Sequence, residues 1–258
     1  MNKFIVFVTV FFTSLLSAQI TESREVADFS KLKVSQSIEV FYTISNTKSL
    51  KIEADLKENL AFVKTEVENG TLKVFIDNSG NSAGKKSKKR WNNNISYKYI
   101  KVTISGPHLS EIKASSSASV KIVNANKSQY LDIAVSSSGS ISGNFTCENA
   151  TIVASSSGTF EGELEARNTS MEASSSGTVE LKGSATHLDC KASSSGECNL
   201  KDFKVENATV SGSSSATVAV HVSKALTAKA SSSADIIYFG NPANVTKEAS
   251  SSGSVSKK

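Results

Sequence analysis

Proline is almost missing from this chain: only Pro107 and Pro242 occur among 258 residues. Long proline-rich linkers are therefore excluded. Histidine and cysteine are equally sparse, with three of each. His108, His187 and His221 form no His-x-His or His-Glu-x-x-His spacing, and Cys147, Cys190 and Cys198 form no Cys-x-x-Cys. Neither a metal site nor a cofactor is expected from such a scatter. The cysteines read as small apolar packing residues. An odd number of them in an exported chain leaves at least one thiol free or paired between molecules. Beyond residue 16 no apolar run approaches the roughly 20 residues of a membrane-spanning helix. A formal net charge of +5 is too small to mark a nucleic-acid partner, and none is expected.

What is present starts with a leader. Met1-Asn2-Lys3 is followed by an apolar stretch from Phe4 to Leu16 and the small pair Ser17-Ala18. That order describes a secretory signal peptide over residues 1–18, cut after Ala18. The mature protein is then exported, to the periplasm, the outer-membrane surface or the medium. Residues 19–28 read as a polar lead-in. Over 29–106 apolar residues alternate with polar ones, as in Leu32, Val34, Ile38, Val40 and Tyr42, which argues for half-buried strands. Residues 55–60 are less regular and suit a short helical turn. Asn69-Gly70 between two alternating runs predicts a hairpin over 62–76. Residues 79–94 break the pattern and read as an exposed loop.

The dominant feature is Ala-Ser-Ser-Ser-Gly, at 154–158, 173–177, 192–196 and 249–253, with variants at 114–118, 135–139, 212–216 and 230–234. Successive first serines, from Ser115 to Ser250, lie 18 to 21 residues apart. Eight copies at a near-constant step define a repeat architecture. The residues three before the first serine are Ile112, Ile133, Ile152, Met171, Cys190, Val210, Ala228 and Lys247. They share one parity with the residues one before and five after, and the three columns are almost all apolar. The opposite parity is mostly polar. Strict period two belongs to strands, so each repeat reads as one coil of a stack.

The expected fold is therefore all-β: a parallel β-helix, a single-stranded β-solenoid of about 19 residues per coil over 107–258, with an N-terminal β region that caps or begins it. The crossover preference favours a right-handed coil, a left-handed triangular solenoid being the alternative. Period two carried through the serine step points the middle serines inward: Ser116, Ser137, Ser156, Ser175, Ser194, Ser214, Ser232 and Ser251. They would hydrogen-bond to one another as a structural ladder, because an unpaired buried hydroxyl costs about 1–3 kcal/mol. Six residues before the first serine stand Asn149, Asn168, His187, Asn207 and Asn244, with Leu109, Tyr130 and Ala225 as exceptions. Asparagine tolerates tight corners, and this column is expected to be a corner with a second ladder.

These features resemble the auto-transporter adhesin head GIN domain family of Bacteroidetes-type bacteria. The residues that carry the resemblance are 29–34, 38–40, 50–55, 69–74 and 100–104, leading through Leu109 into Ala114-Ser115-Ser116-Ser117-Ala118. The resemblance covers nearly the whole mature chain. It implies an exported, largely β-helical envelope protein, and it brings no catalytic residue to transfer. The residues present include no membrane-barrel segment, a departure from what the family name implies.

For function, the serines are too repetitive for a nucleophile, and no strand-to-helix elbow is in sight. The expected function is non-enzymatic, an adhesin-like binding protein of the cell surface whose partner is a glycan or another envelope component. The alternative is a polysaccharide lyase or hydrolase built on the same coil, which would need carboxylates to converge. Asp132 and Asp189 share a column three coils apart, and Glu161, Glu163, Glu165 and Glu172 lie nearer one another. The sharpest surface feature is the basic run Lys85, Lys86, Lys88, Lys89 and Arg90 with Trp91. It is a candidate for lipopolysaccharide, an acidic glycan or phospholipid headgroups, set against a merely solvated loop.

Overall fold

The computed structural model describes residues 20–77 and 99–258. Its strands are β1 (Ile20–Arg24), β2 (Lys31–Ser35), β3 (Glu39–Ile44), β4 (Ser49–Ala54), β5 (Val63–Glu68), β6 (Thr71–Ile76), β7 (Ile100–Gly106), β8 (Glu111–Ser115) and β9 (Ser119–Ile122). They continue with β10 (Asn126–Val135), β11 (Ser140–Ala154), β12 (Thr159–Ala173), β13 (Thr178–Ala192), β14 (Glu197–Gly212), β15 (Thr217–Ala230), β16 (Asp235–Phe239), β17 (Asn244–Ala249) and β18 (Ser254–Lys257). One helical turn, α1 (Lys57–Leu60), interrupts them where the sequence becomes irregular. The molecule is a β-solenoid of about 8 turns at about 19 residues per turn. The proposed leader, residues 1–18, lies outside the described residues.

Each coil but the last buries the expected columns. Ile152, Ala154 and Phe160, or Val210 and Val218 three coils on, are fully enclosed. Burial of this kind recurs along the whole axis and makes one continuous core, which no single coil could form alone. Parity then breaks once along each of β11, β12 and β13. In β12 the buried residues are Phe160 and Leu164 before the break, and Thr169, Met171 and Ala173 after it. The shift falls at Arg167-Asn168, so the asparagine column does mark a corner.

The serine step is a different kind of corner. The carbonyl of the first serine accepts a hydrogen bond from the residue three further on, as Gly177 N–H to Ser174 O at 2.8 Å. The two serines between have positive φ, 49° at Ser175 and 61° at Ser176. Two left-handed residues inside such a bond define a type I′ turn. This corrects the inward assignment. Ser116, Ser137, Ser156, Ser175, Ser194, Ser214, Ser232 and Ser251 are all exposed, beside equally exposed third serines. Period two holds only while the backbone is extended, and the turn carries both side chains outward.

What stacks at the step is backbone. The N–H of each third serine donates to the carbonyl of the next coil's middle serine, from Ser117 to Ser137 at 3.0 Å through Ser233 to Ser251 at 3.0 Å. The closing residue of the step is buried in every coil but the last. At Gly177 a Cβ would sit 2.2 Å from the carbonyl oxygen of Ala154. That close approach explains why the position is only Gly or Ala.

The coil stack does not begin at residue 107. β2 lies parallel to β8 with Ser35 opposite Ser115, and β3 lies parallel to β9 with Val40 opposite Val120. Gln36 and Ser37 between them have φ of 68° and 54°. The N–H of Ser37 donates to Ser116 O at 2.9 Å, as a serine step would. Outside this coil, β6 pairs with β2 and β7 with β3, again in parallel.

Antiparallel strands close this end: β5 on β6, β4 on β7, and β1, drawn from the polar lead-in, on β4. β5 and β6 are the expected hairpin, and Asn69-Gly70 has φ of 50° and 72°. Arg24 fastens β1 by donating to Val63 O at 2.6 Å and Leu60 O at 3.0 Å. At the other end β17 is exposed along its length. There Lys247 stands in a column that is apolar elsewhere, with its Nζ 4.6 Å from the Tyr238 ring centroid. A lysine on an edge strand opposes further strand pairing.

Candidate binding groove

The corner opposite the step brings polar residues into rows. Parallel register places Tyr130, Asn149, Asn168, His187, Asn207, Ala225 and Asn244 on successive rungs. The row two residues on runs Asp132, Thr151, Ser170, Asp189, Thr209, Thr227 and Thr246. Between them the inward residues Ala150, Leu188 and Ala208 are buried. The two rows border a groove of about 510 Å³ that extends from Asn149 to Ala225. Four rung spacings make it about 19 Å long. Its polar lining is amide, hydroxyl, one imidazole and one carboxylate, with Ala150, Leu188, Ala208 and Ala225 between them.

Two details distinguish this groove from an ordinary wet surface. Thr169, 3 % exposed, is one of its lining residues. Its hydroxyl has no hydrogen-bond partner among the described residues, a state that costs about 1–3 kcal/mol. One rung beyond the groove, in register with Asn149, Tyr130 is 61 % exposed. An aromatic ring so exposed offers a flat apolar face beside hydrogen-bonding groups.

The asparagine ladder is made at one rung, where Asn168 Nδ2 donates to Asn149 Oδ1 at 2.9 Å. Elsewhere it is corrected by the register. Asn207 lies between His187 and Ala225, and Asn244 beside Ala225, so neither has an asparagine neighbour. Sequence columns found the groove's residues but weighed them only as a corner and a solvated face. The signal for Tyr130 was its being an exception within an asparagine column.

The aspartates stay dispersed, whereas Glu161 and Glu180 are partners on adjacent rungs. Asp132 and Asp189 are three rungs apart, with Thr151 and Ser170 between them. Glu165 accepts a hydrogen bond from Ser184 Oγ at 2.5 Å. Among the described residues no three His, Cys, Asp or Glu side chains are grouped to hold a metal ion. A second groove, of about 590 Å³, follows the first serines and includes Glu172, Lys191, Lys229 and Glu248. Its charges offset one another, and Lys229 pairs with Glu248 at 2.9 Å. Lys85, Lys86, Lys88, Lys89, Arg90 and Trp91 lie outside the described residues.

The three cysteines are unbonded and buried. Burial, with the Glu148 charge next to it, pushes the Cys147 thiol up to about 11. No described helix is long and apolar enough to cross a membrane.

A family model described as "Putative auto-transporter adhesin, head GIN domain" matches residues 28–242. Among solved structures, a "putative adhesin" from Parabacteroides merdae aligns at 21% identity with a TM-score of 0.81, covering 93% of this chain and 96% of that one. A second "putative adhesin", from Parabacteroides distasonis, aligns at 20% identity with a TM-score of 0.80, covering 93% and 97%. A "putative lipid binding protein" from the same species aligns at 24% identity with a TM-score of 0.78, covering 93% and 96%. Likenesses at these identities carry the fold. No protein of curated function matches the chain.

Proposed function

Because the chain belongs to the auto-transporter adhesin head GIN domain family, we propose that it is an exported surface protein that binds an extended glycan, without chemical turnover, along the groove from Tyr130 to Thr227. The observation that carries this reading is an exposed aromatic ring one rung from a groove of repeated amides and hydroxyls. A sugar presents apolar C–H faces to a ring and hydroxyls to amides, and repeating sugars match repeating rungs.

Hydrolysis or elimination fits the geometry less well. A glycosidase places its acid and its second carboxylate no more than about 9.5 Å apart. Asp189 is the one carboxylate of the groove, and Asp132 lies three rungs, or about 14 Å, away.

Titration calorimetry with a panel of neutral and acidic oligosaccharides tests the proposal. Tyr130→Ala and Asn168→Ala should each weaken binding at least about tenfold, or about 1.4 kcal/mol. The basic run supplies the control arm. If neutralising Lys85, Lys86, Lys88, Lys89 and Arg90 abolishes binding while both groove variants bind normally, the groove assignment fails. The partner is then an anionic one held by that run.

A further inference from the structure

Two of the three cysteines occupy facing positions in one coil. Cys190 lies three residues before the first serine of its step, and Cys198 five after it. Both columns point inward, and both residues are fully enclosed, at 0 % exposure. The turn between them is closed by the Gly196 N–H to Ser193 O bond at 2.8 Å, so the chain doubles back and brings the two side chains together. The equivalent positions hold Met171 with Val179 one coil before and Val210 with Val218 one coil after. Only in this coil do two thiols meet. A hydrogen bond with the neighbouring Cys198 thiol, and then burial, raise the Cys190 thiol well above the ordinary range. A buried thiol so held is a poor nucleophile once the coil has closed.

We propose that Cys190 and Cys198 are joined by a disulfide across the inside of the coil in the mature protein, leaving Cys147 as the single free thiol. The oxidant is a disulfide-bearing partner, small molecule or protein, acting before the coil closes. One cysteine thiolate attacks a sulfur of that disulfide, releases one thiol and forms a mixed disulfide. The second cysteine thiolate attacks the protein sulfur of the mixed disulfide and releases the second thiol. Two protein S–H groups become one S–S bond, and the oxidant's S–S becomes two S–H groups. The bond ties the two strands that leave Ser193–Gly196, and with them His187 and Asp189 of the groove. It requires an oxidising compartment, as the leader implies, but it is independent of the ligand.

The test refolds the full mature chain in a glutathione redox buffer, which removes the question of compartment. Free thiols are counted after denaturation, and the product is digested with trypsin without reduction. Cleavage after Lys191 separates peptides 183–191 and 192–201, each carrying one of the two cysteines. The expected result is one free thiol per chain and these two peptides recovered as a linked pair. Cys147→Ala should leave the linked pair intact and reduce the count to zero. Three free thiols in the refolded native chain, or a linkage involving Cys147, overturns the proposal. Calorimetric binding by reduced and oxidised protein separates this result from the fate of the glycan reading.

Discussion

The serine step and the corner groove are built on the same coils, yet the chain treats them oppositely. The step is almost unvaried over eight coils, whereas the row six residues before it changes from Tyr130 through Asn149, Asn168 and His187 to Ala225. At the step the backbone decides: two left-handed residues, a buried closing residue and ladder hydrogen bonds leave no room for choice. At the corner the side chains point to solvent and the register only aligns them. Uniformity within a repeat protein thus marks what the backbone requires, and variation on the same frame marks where a particular partner can be read. The hairpin makes the point from within the molecule. Asn69-Gly70 and Ser175-Ser176 adopt the same pair of positive φ angles, one with the residues that prefer them and one with residues held there by neighbouring coils.

Several substitutions can break or sharpen this contrast. The largest effect is expected at Gly183, with φ of 110° and a Cβ position 2.2 Å from Leu164 O. Gly183→Ala should cost about 3 kcal/mol in denaturant unfolding, because strain and a backbone clash coincide. Gly177→Ala should cost less, about 1–2 kcal/mol, since Ala216 fills the same place in another step and is buried there. If it proves neutral, the close approach does not restrict the step. Replacing Ser175-Ser176 by Asn-Gly should raise stability by about 1 kcal/mol, because both residues tolerate positive φ. A loss would show that the exposed hydroxyls hold the step together. Ser175→Leu should destabilise no more than Ser174→Leu, which alters a half-buried residue. Thermal melts showing the reverse would restore the inward assignment of the middle serine.

The smallest effect on folding is expected in the groove. Thr169→Val should leave unfolding free energy unchanged or raise it by up to about 1 kcal/mol, since it removes an unpaired hydroxyl. The same change should leave oligosaccharide binding in calorimetry unchanged, because that hydroxyl is enclosed. Weakened binding would show that the coil opens to let a ligand reach it.

Much of the frame was legible because burial has a period. Ile152, Val210 and Val218 declared themselves inward by parity alone, and the parity break at Arg167-Asn168 sits beside the column read as a corner. The middle serines were misread for the same reason, since parity assumes an extended backbone and cannot see a turn of two left-handed residues. Gln36 hid an equivalent step, because what repeats there is a backbone conformation and not a serine. The groove was half legible. Its asparagines and threonines stood in columns, but whether Asn207 meets another asparagine depends on register with His187 and Ala225. Tyr130 gained a role only when its exposure and its place beside Asn149 were known.

By itself, then, the sequence determined the family, the coil length and which faces are buried, because apolar spacing is a local property that any stack must obey. Tertiary structure alone decided which way the serines point, where the stack begins, that a groove forms along one corner, and that Cys190 faces Cys198. Each of these follows from how separate stretches of chain meet across rungs and turns, and no periodicity along one strand contains that information.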